Sequence, residues 1–308
     1  MKLLLAGGSG LVGGVLQRWW AQAGYDVRCL VRRPPRTERE IEWQPGRDAG
    51  PAAVAGEFDA IVNLAGENIA AGRWTAARKE RIRSSRLLTT AALANAIAAG
   101  RLGARTWINA SAVGFYGDTG EVAVDEDCPR GPGFLAEVCG EWEAQAMRVG
   151  ASLRVVCLRL GVVLDGRGGA LGRLLPVFRA GLGGPIGDGT AWLSWIGSDE
   201  LCRVVDHVLA DERLAGPVNA VELRSVRSRD FAGALGRCLG RPAVVPTPAW
   251  ALRAVFGAMA RETVLASQRV VPKRLLETGH LFAARDVGGA LAAVLAAGGR
   301  AYGAKART

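Results

Sequence analysis

Lysine is nearly missing from this chain. Of its 39 basic residues only four are lysines, and none stands between Lys79 and Lys273, so chemistry that needs an ammonium group in the middle of the chain is excluded. Histidine is as scarce, with His207 and His280 alone and far apart, and the six cysteines (Cys29, Cys128, Cys139, Cys157, Cys202, Cys238) form no C-x-x-C pair. Without clustered ligands of these types no metal site is expected. Cys29 and Cys157 sit in apolar runs, where a free thiol acts as a small core side chain, and a disulfide framework is excluded as well. No apolar run approaches the eighteen or so residues of a membrane span. The apolar start carries no basic leader, so the expectation is a cytoplasmic chain with no membrane partner. The net charge of +10 comes almost wholly from dispersed arginine. It lacks the basic runs and aromatic interleaving of a nucleic-acid surface, which leaves attraction to an anionic cofactor or substrate as its functional reading.

Glycine, by contrast, is abundant, and it is crowded at the start in LLLAGGSGLVGG, residues 3–14. An apolar run of strand length ends there in G-x-x-G-x-x-G (Gly7, Gly10, Gly13) and leads into a helix-compatible stretch, Val15 to Ala23. That order is the strand, turn and helix of a dinucleotide-binding unit. Gly7 permits the tight turn, Gly10 lets the backbone approach a pyrophosphate, and Gly13 lets the helix pack closely on the strand.

Further strand-like runs at 26–31, 59–64, 105–110 and 153–160 alternate with segments long enough to be crossover helices, among them 75–100 and 135–149. The expected fold class is α/β: a Rossmann-type doubly wound parallel sheet with a smaller C-terminal α/β substrate part. Residues 1–164 are read as the coenzyme domain. Residues 165–300 are read mainly as the substrate part, with some segments returning to the sheet (PVNAVE as a strand, SRDFAGALGRCLG as an amphipathic helix), and 301–308 as a flexible tail. The glycine- and aromatic-rich stretch 165–195 reads as loops around a short helix.

The second strand ends in CLVRRPPR, with Arg32 and Arg33 where a carboxylate would meet a ribose 2′-hydroxyl. Guanidinium groups pair with a 2′-phosphate, so the expected coenzyme is NADP(H). A small-residue turn, NLAGEN, follows the third run. In the order GGSGLVG, NLAGEN, RWTAARK, SSR, SAVGFYG, RLGVVLDGRGGAL and SWIGSDEL, the chain resembles an atypical extended short-chain dehydrogenase/reductase of the epimerase family branch, nucleoside-diphosphate-sugar epimerase-like, over residues 1 to about 295. The resemblance implies that Ser9, Gly10, Leu11 and Val12 bind the pyrophosphate and Arg32 the 2′-phosphate. It places Leu64, Ala65 and Gly66 on the adenosine side, with Arg86 and Val163 at further coenzyme positions. Fold relatives pair through two long helices, for which 75–100 and 135–149 are the counterparts, so a homodimer is an expectation.

Active members of that family carry a Ser or Thr and a Tyr-x-x-x-Lys, the lysine lowering the tyrosine pKa for proton exchange. Here the hydroxyl position falls on Ala112, next to Ser111. The Tyr and Lys positions fall on Leu135 and Cys139, or on Phe134 and Val138 one residue earlier. Tyr116 with Ser111 is the candidate catalytic pair, Glu137 and Cys139 the other available groups. Arg173 and Arg179 are candidates for an anionic substrate group, and Trp192 and Trp195 for stacking on a planar one. Two main readings stay open: an NADP-dependent oxidoreductase or epimerase acting on a small, nucleotide-linked or other, substrate without the usual pair, and an inactive NADP(H) sensor or partner-binding protein; a third and weaker one, a nucleic-acid binder, rests on the basic charge alone.

Overall fold

The computed structural model describes residues 1–45 and 55–305. Its first half runs β1 (Lys2–Ala6), α1 (Leu11–Gln22), β2 (Asp26–Val31), β3 (Glu40–Glu42), β4 (Gly56–Asn63), α2 (Ala76–Ala98) and β5 (Leu102–Ala112). A 3-10 turn at Val113–Tyr116 leads to β6 (Ala123–Val124), α3 (Phe134–Met147), β7 (Arg154–Leu160) and β8 (Val162–Leu164). The second half adds α4 (Gly169–Arg179), β9 (Trp192–Leu193), β10 (Trp195–Gly197), α5 (Ser198–Ala210), β11 (Gly216–Ala220), β12 (Val226–Arg227) and α6 (Ser228–Leu239). It closes with α7 (Ala249–Phe256), α8 (Ala258–Glu262), β13 (Arg269–Val270), α9 (Lys273–Glu277) and α10 (Val287–Lys305).

Strands whose side chains are apolar on both faces need cover on both, and this sheet has it. Seven strands lie in the order β11-β7-β5-β4-β1-β2-β3, every neighbour parallel. One core joins Leu3, Leu5, Val15, Leu16 and Trp20 to Leu201, Val204 and Val205 of α5. A second, built on Leu4, Ile61 and Trp107, packs against Leu93 and Ile97 of α2 and Ala146 of α3. The order reverses between β1 and β4, which opens a crevice beyond their carboxyl ends. A third core, Leu171, Phe178, Trp195, Phe231, Leu235 and Leu291 among its members, belongs to the C-terminal half.

The doubly wound parallel sheet is the expected one, and PVNAVE does return to it as β11. Several elements differ from the sequence reading. The strand expected at 105–110 extends over 102–112, because Leu102 still pairs with Gly56 and Ser111 with Arg159. β3 went unread, being only three residues, two of them glutamates. So did α5, whose buried Leu201, Val204, Val205 and Val208 recur at helical spacing. The stretch read as a tail is helical as far as Lys305, and residues 306–308 lie outside the described residues.

Two adjacent helical glycines make opposite demands. A Cβ on Gly13 would stand 2.4 Å from the Gly7 carbonyl oxygen and 2.7 Å from Gly8 Cα, both backbone atoms, whereas one on Gly14 meets only the flexible end of Arg18 at 3.5 Å. Urea unfolding should therefore show Gly13→Ala destabilised by at least about 2 kcal/mol through forced overpacking, and Gly14→Ala unchanged or stabilised by up to about 1 kcal/mol through helix propensity. Equal effects at the two positions would contradict the close packing of α1 on the turn.

Candidate functional site

At the β1–β4 crevice lies a cavity of about 970 Å³. Gly7, at φ +87°, turns the chain sharply, and a Cβ there would come within 2.7 Å of the Leu64 carbonyl carbon and 2.8 Å of the Ala65 nitrogen. The turn after β1 thus touches the turn after β4, and only glycine fits. Gly10 is different, since a Cβ would find nothing nearer than 3.4 Å, which leaves its outer side open. It also stands as the N-cap of α1 without any side-chain cap, so first-turn amide donors remain available to an anion. By contrast Thr75 caps α2, accepting from the Arg78 amide at 3.2 Å. Gln17, which sequence reasoning missed, straps the loop: its Nε2 donates to the Gly8 carbonyl at 2.7 Å, while its Oε1 accepts from the Cys29 thiol at 3.2 Å.

Of the residues expected at a coenzyme, Gly7, Ser9, Gly10, Arg32, Arg33, Leu64, Ala65 and Gly66 line this cavity, and Leu11, Val12, Gly13, Arg86 and Val163 do not. Leu11 and Val163 are nevertheless brought together. A Cβ on Gly169 would meet Leu11 Cδ2 at 2.7 Å and the Val163 carbonyl at 3.7 Å. Arg86 lies behind Gly66, donating to the Glu67 and Ile82 carbonyls at 3.2 and 2.9 Å with its guanidinium over Trp142. Burial lowers its pKa, and its visible work is to brace the NLAGEN turn. The two arginines at the end of β2 part company as well. Arg33 is bound to Glu40 on β3, whereas Arg32 is exposed and makes no ion pair among the described residues.

The expected catalytic hydroxyls are not on the cavity wall. Ser111 Oγ donates to Glu143 Oε1 at 2.6 Å, and Arg159 grips the same carboxylate through Nε and Nη2, each at 2.8 Å. Arg159 Nη1 donates to the Tyr116 hydroxyl at 2.8 Å, and that hydroxyl donates to Asn219 Oδ1 at 2.8 Å. Asn219 in turn donates to the Val271 carbonyl and, through its backbone, to Glu126, at 2.9 Å each. All six side chains of this chain of contacts are buried. Burial pushes the Tyr116 phenol up to about 12, although Arg159 and Asn219 pull it down. Burial alone would lower the Arg159 guanidinium, and the Glu143 carboxylate more than offsets it. The other candidates are spent too. The Cys139 thiol is pushed up to about 11 by burial and then by Glu143, and Glu137 is an exposed partner of Arg83 at 3.5 Å.

The description "NAD dependent epimerase/dehydratase family" matches residues 3–221. The chain belongs to that family. Residues 247–294 match a second description, "Domain of unknown function (DUF1731)". An epimerase family protein of Mycobacterium tuberculosis is 40% identical over 290 residues, covering 93% of this chain and 95% of that one. The crystal structure of the human epimerase family protein SDR39U1 (isoform 2) with NADPH superposes with a TM-score of 0.89 at 35% identity, covering 96% of this chain and 99% of that one. A nucleoside-diphosphate sugar epimerase from Corynebacterium glutamicum gives 0.77 at 35% identity, covering 96% of this chain and 58% of that one. The epimerase family resemblance read from the motifs is thereby borne out.

Within this epimerase family fold the C-terminal half settles the remaining candidates. Trp195 is 2% exposed and belongs to the third core, so it offers no face to a ligand. Trp192 is half-buried, with the guanidinium groups of Arg227 and Arg269 3.9 and 4.9 Å from its ring, and donates to Glu121 at 3.1 Å. Arg173 reaches the Ala70 carbonyl at 2.8 Å, tying α4 to the NLAGEN loop, and Arg179 is exposed at the end of α4. A second hollow, about 190 Å³, is lined by Gly114, Leu135, Arg261 and Glu262 among others. Glu262 accepts from the Leu135 amide at 2.8 Å. No helix among the described residues is long and apolar enough to cross a membrane, and no ligand cluster for a metal occurs among them.

Glu222, just past β11, also escaped notice. Its carboxyl is buried, and Oε1 has no hydrogen-bond partner among the described residues. Burial pushes it up to about 7, with Glu200 adding in the same direction. A carboxyl whose pKa rises on folding favours the folded state while protonated, below its usual value, and loses that contribution as pH rises through its folded value. Glu222→Gln should therefore melt close to the parent at about pH 5 and higher than the parent at about pH 8. Coincident melting curves at the higher pH would contradict an unpaired buried carboxylate.

Proposed function

We propose that this chain binds NADP(H) in the cavity at the glycine turn, and that its nicotinamide side lacks a side-chain proton relay. One observation carries the coenzyme assignment: the exposed Arg32 guanidinium lines the cavity without an ion-pair partner among the described residues. The residues fit the group. The Gly10 side of the turn is open where a pyrophosphate would approach, the uncapped start of α1 supplies amide donors, and Leu64, Ala65 and Gly66 give a small-residue wall for the adenosine. Ser9, Leu11 and Val12 would lie along the pyrophosphate with Gly10, and Val163 at a further coenzyme position, Gly13 and Arg86 holding the two turns from behind. A bound NADPH would supply a hydride. The human relative crystallised with NADPH supports this reading.

What the chain's own residues do at the reacting end is narrower than in a Tyr-Lys enzyme. Ser111 ties the end of β5 to Glu143 of α3, Tyr116 ties its turn to Arg159 of β7 and Asn219 of β11, and neither hydroxyl is offered to a substrate. The reaction class this supports is hydride exchange with a small carbonyl or alcohol, water giving the proton when a carbonyl is reduced and taking it when an alcohol is oxidised. The 190 Å³ hollow beside Leu135 is well below the ordinary range of ligand pockets and favours a small substrate over a nucleotide sugar. The second reading, a coenzyme-bound sensor or partner-binding protein without turnover, is favoured by the same commitment of both hydroxyls. The proposal keeps a cytoplasmic chain that pairs through α2 and α3, which lie side by side with Arg83 reaching Glu137 and Glu141.

Calorimetry should give at least about tenfold tighter binding for NADPH than for NADH, the worth of one charge-assisted pair, and Arg32→Ala should remove most of that difference. Equal affinities in the parent would sink the NADP(H) preference. Assays of NADPH consumption with small carbonyl compounds separate oxidoreductase from sensor. Where turnover is found, Tyr116→Phe should leave it within about threefold, whereas loss of a true acid–base group costs roughly a hundredfold or more. Such a loss with coenzyme affinity unchanged would make Tyr116 the acid after all.

A further inference from the structure

We infer that Arg33 is a mask and not a phosphate ligand: it neutralises Glu40, a carboxylate on the wall of the coenzyme cavity, and so decides which dinucleotide the cavity accepts. The inference rests on the NADP(H) reading of that cavity.

The placement of Glu40 follows from the sheet. β3 pairs with β2 in parallel, Glu40 opposite Cys29 and Ile41 opposite Leu30. Directly opposed residues share a face, and Cys29 is tied through Gln17 to the Gly8 carbonyl, so Glu40 stands on the face that carries the glycine turn. Glu40, Cys29, Arg32 and Arg33 all line the cavity.

The carboxylate is fully engaged. Oε1 accepts from Arg33 Nη2 at 2.7 Å, and Oε2 accepts from Arg33 Nη1 at 2.8 Å and from the Arg36 amide at 2.7 Å. Arg33 Nη1 also donates to the Pro34 carbonyl at 3.0 Å. This two-pronged pairing matches the planar fork of a guanidinium to the planar carboxylate. The hydrogen bond from Arg33, then that from Arg36, holds Glu40 down at about 2, so it is ionised at any physiological pH. Arg33 has its fork committed, while Arg32 beside it has none of its donors in an ion pair among the described residues.

The consequence is a site that contains both chemistries. A bare carboxylate near the adenosine ribose repels a 2′-phosphate and accepts a hydrogen bond from a 2′-hydroxyl, the basis of NAD preference in dinucleotide folds. Here that carboxylate is present and cancelled by its neighbour, leaving Arg32 as the net charge that the 2′-phosphate meets. Removing Arg33 should therefore do more than remove a cation. It should expose Glu40 and turn the cavity against NADPH while sparing NADH.

Removing Arg33 alone does not separate mask from ligand, because NADPH affinity falls either way; the pair of substitutions does. Calorimetry with NADPH and NADH is run on the full chain, on Arg33→Ala, and on Arg33→Ala combined with Glu40→Gln. The expected result for Arg33→Ala is NADPH binding weakened by about tenfold or more, the scale of one lost or reversed charge contact, with NADH within about threefold or tighter. In the double variant NADPH affinity should return to within about threefold of the parent. A double variant as weak toward NADPH as Arg33→Ala would make Arg33 a direct ligand and overturn the inference. A parallel loss of NADH affinity in Arg33→Ala would report collapse of the 32–39 loop and overturn it too. Equal affinities in the parent would overturn the NADP(H) reading itself, and this inference with it, whereas a preserved parental preference without rescue overturns this inference alone.

Discussion

The coenzyme end of this molecule depends on one steric constraint, the backbone contact between Gly7 and the Leu64–Ala65 peptide. A single methyl group at Gly7 would fall within 2.7–2.8 Å of three backbone atoms. Because that contact sets how far apart the turns after β1 and β4 lie, the supports around it are buried and polar. Asn63 accepts from the Ala65 amide at 3.2 Å and donates to Asn109 and Thr90 at 2.7 and 3.0 Å, and Trp142 of α3 closes the set on Thr90 at 2.8 Å. Amide-to-amide bonds in a dry interior hold geometry firmly, since each unmade one leaves an orphan group. Gln17 does the same from the α1 side. Both turns are thus held from behind, and the uncapped start of α1 is left to the cavity.

The other half of the same sheet edge is held by charge. Arg159 and Glu143 form a buried, doubly hydrogen-bonded pair, and a pair of this kind costs about 3–5 kcal/mol to break from one side because the remaining charge is stranded. The Arg159 guanidinium also lies 3.5 Å from the Phe115 ring centroid. Ser111 and Tyr116 are drawn into this network as hydrogen-bonding members. A phenol raised by burial, with no ammonium nearby to lower it, has little tendency to release a proton. One edge of one sheet therefore presents an accommodating dinucleotide half and a fixed reacting half.

How much of this was legible in the sequence depends on how far apart the partners stand. The glycine spacing, the apolar runs and the absence of an acid after Val31 are local signals, and they located the turn, the sheet and Arg32. The division between Arg32 and Arg33 was not legible, because it depends on Glu40 in an edge strand too short to announce itself. The fate of Tyr116 rests on Asn219, 103 residues away, and on a strand pairing that brings Arg159 opposite Ser111. Trp195 and Trp192 look alike as letters. The packing of α6 and α10 buries one, and the guanidinium groups of Arg227 and Arg269 cover the other. Glu222 carries no motif at all, and its perturbation comes from burial beside Glu200.

A crystal structure of the chain grown with NADPH tests the central claim most directly. The account predicts the pyrophosphate against the Gly7–Gly13 turn and the 2′-phosphate on Arg32. It also predicts that the Tyr116 and Ser111 hydroxyls still bond Asn219, Arg159 and Glu143. A Tyr116 hydroxyl withdrawn from Asn219 and turned onto the nicotinamide, or a coenzyme seated away from the glycine turn, would contradict it.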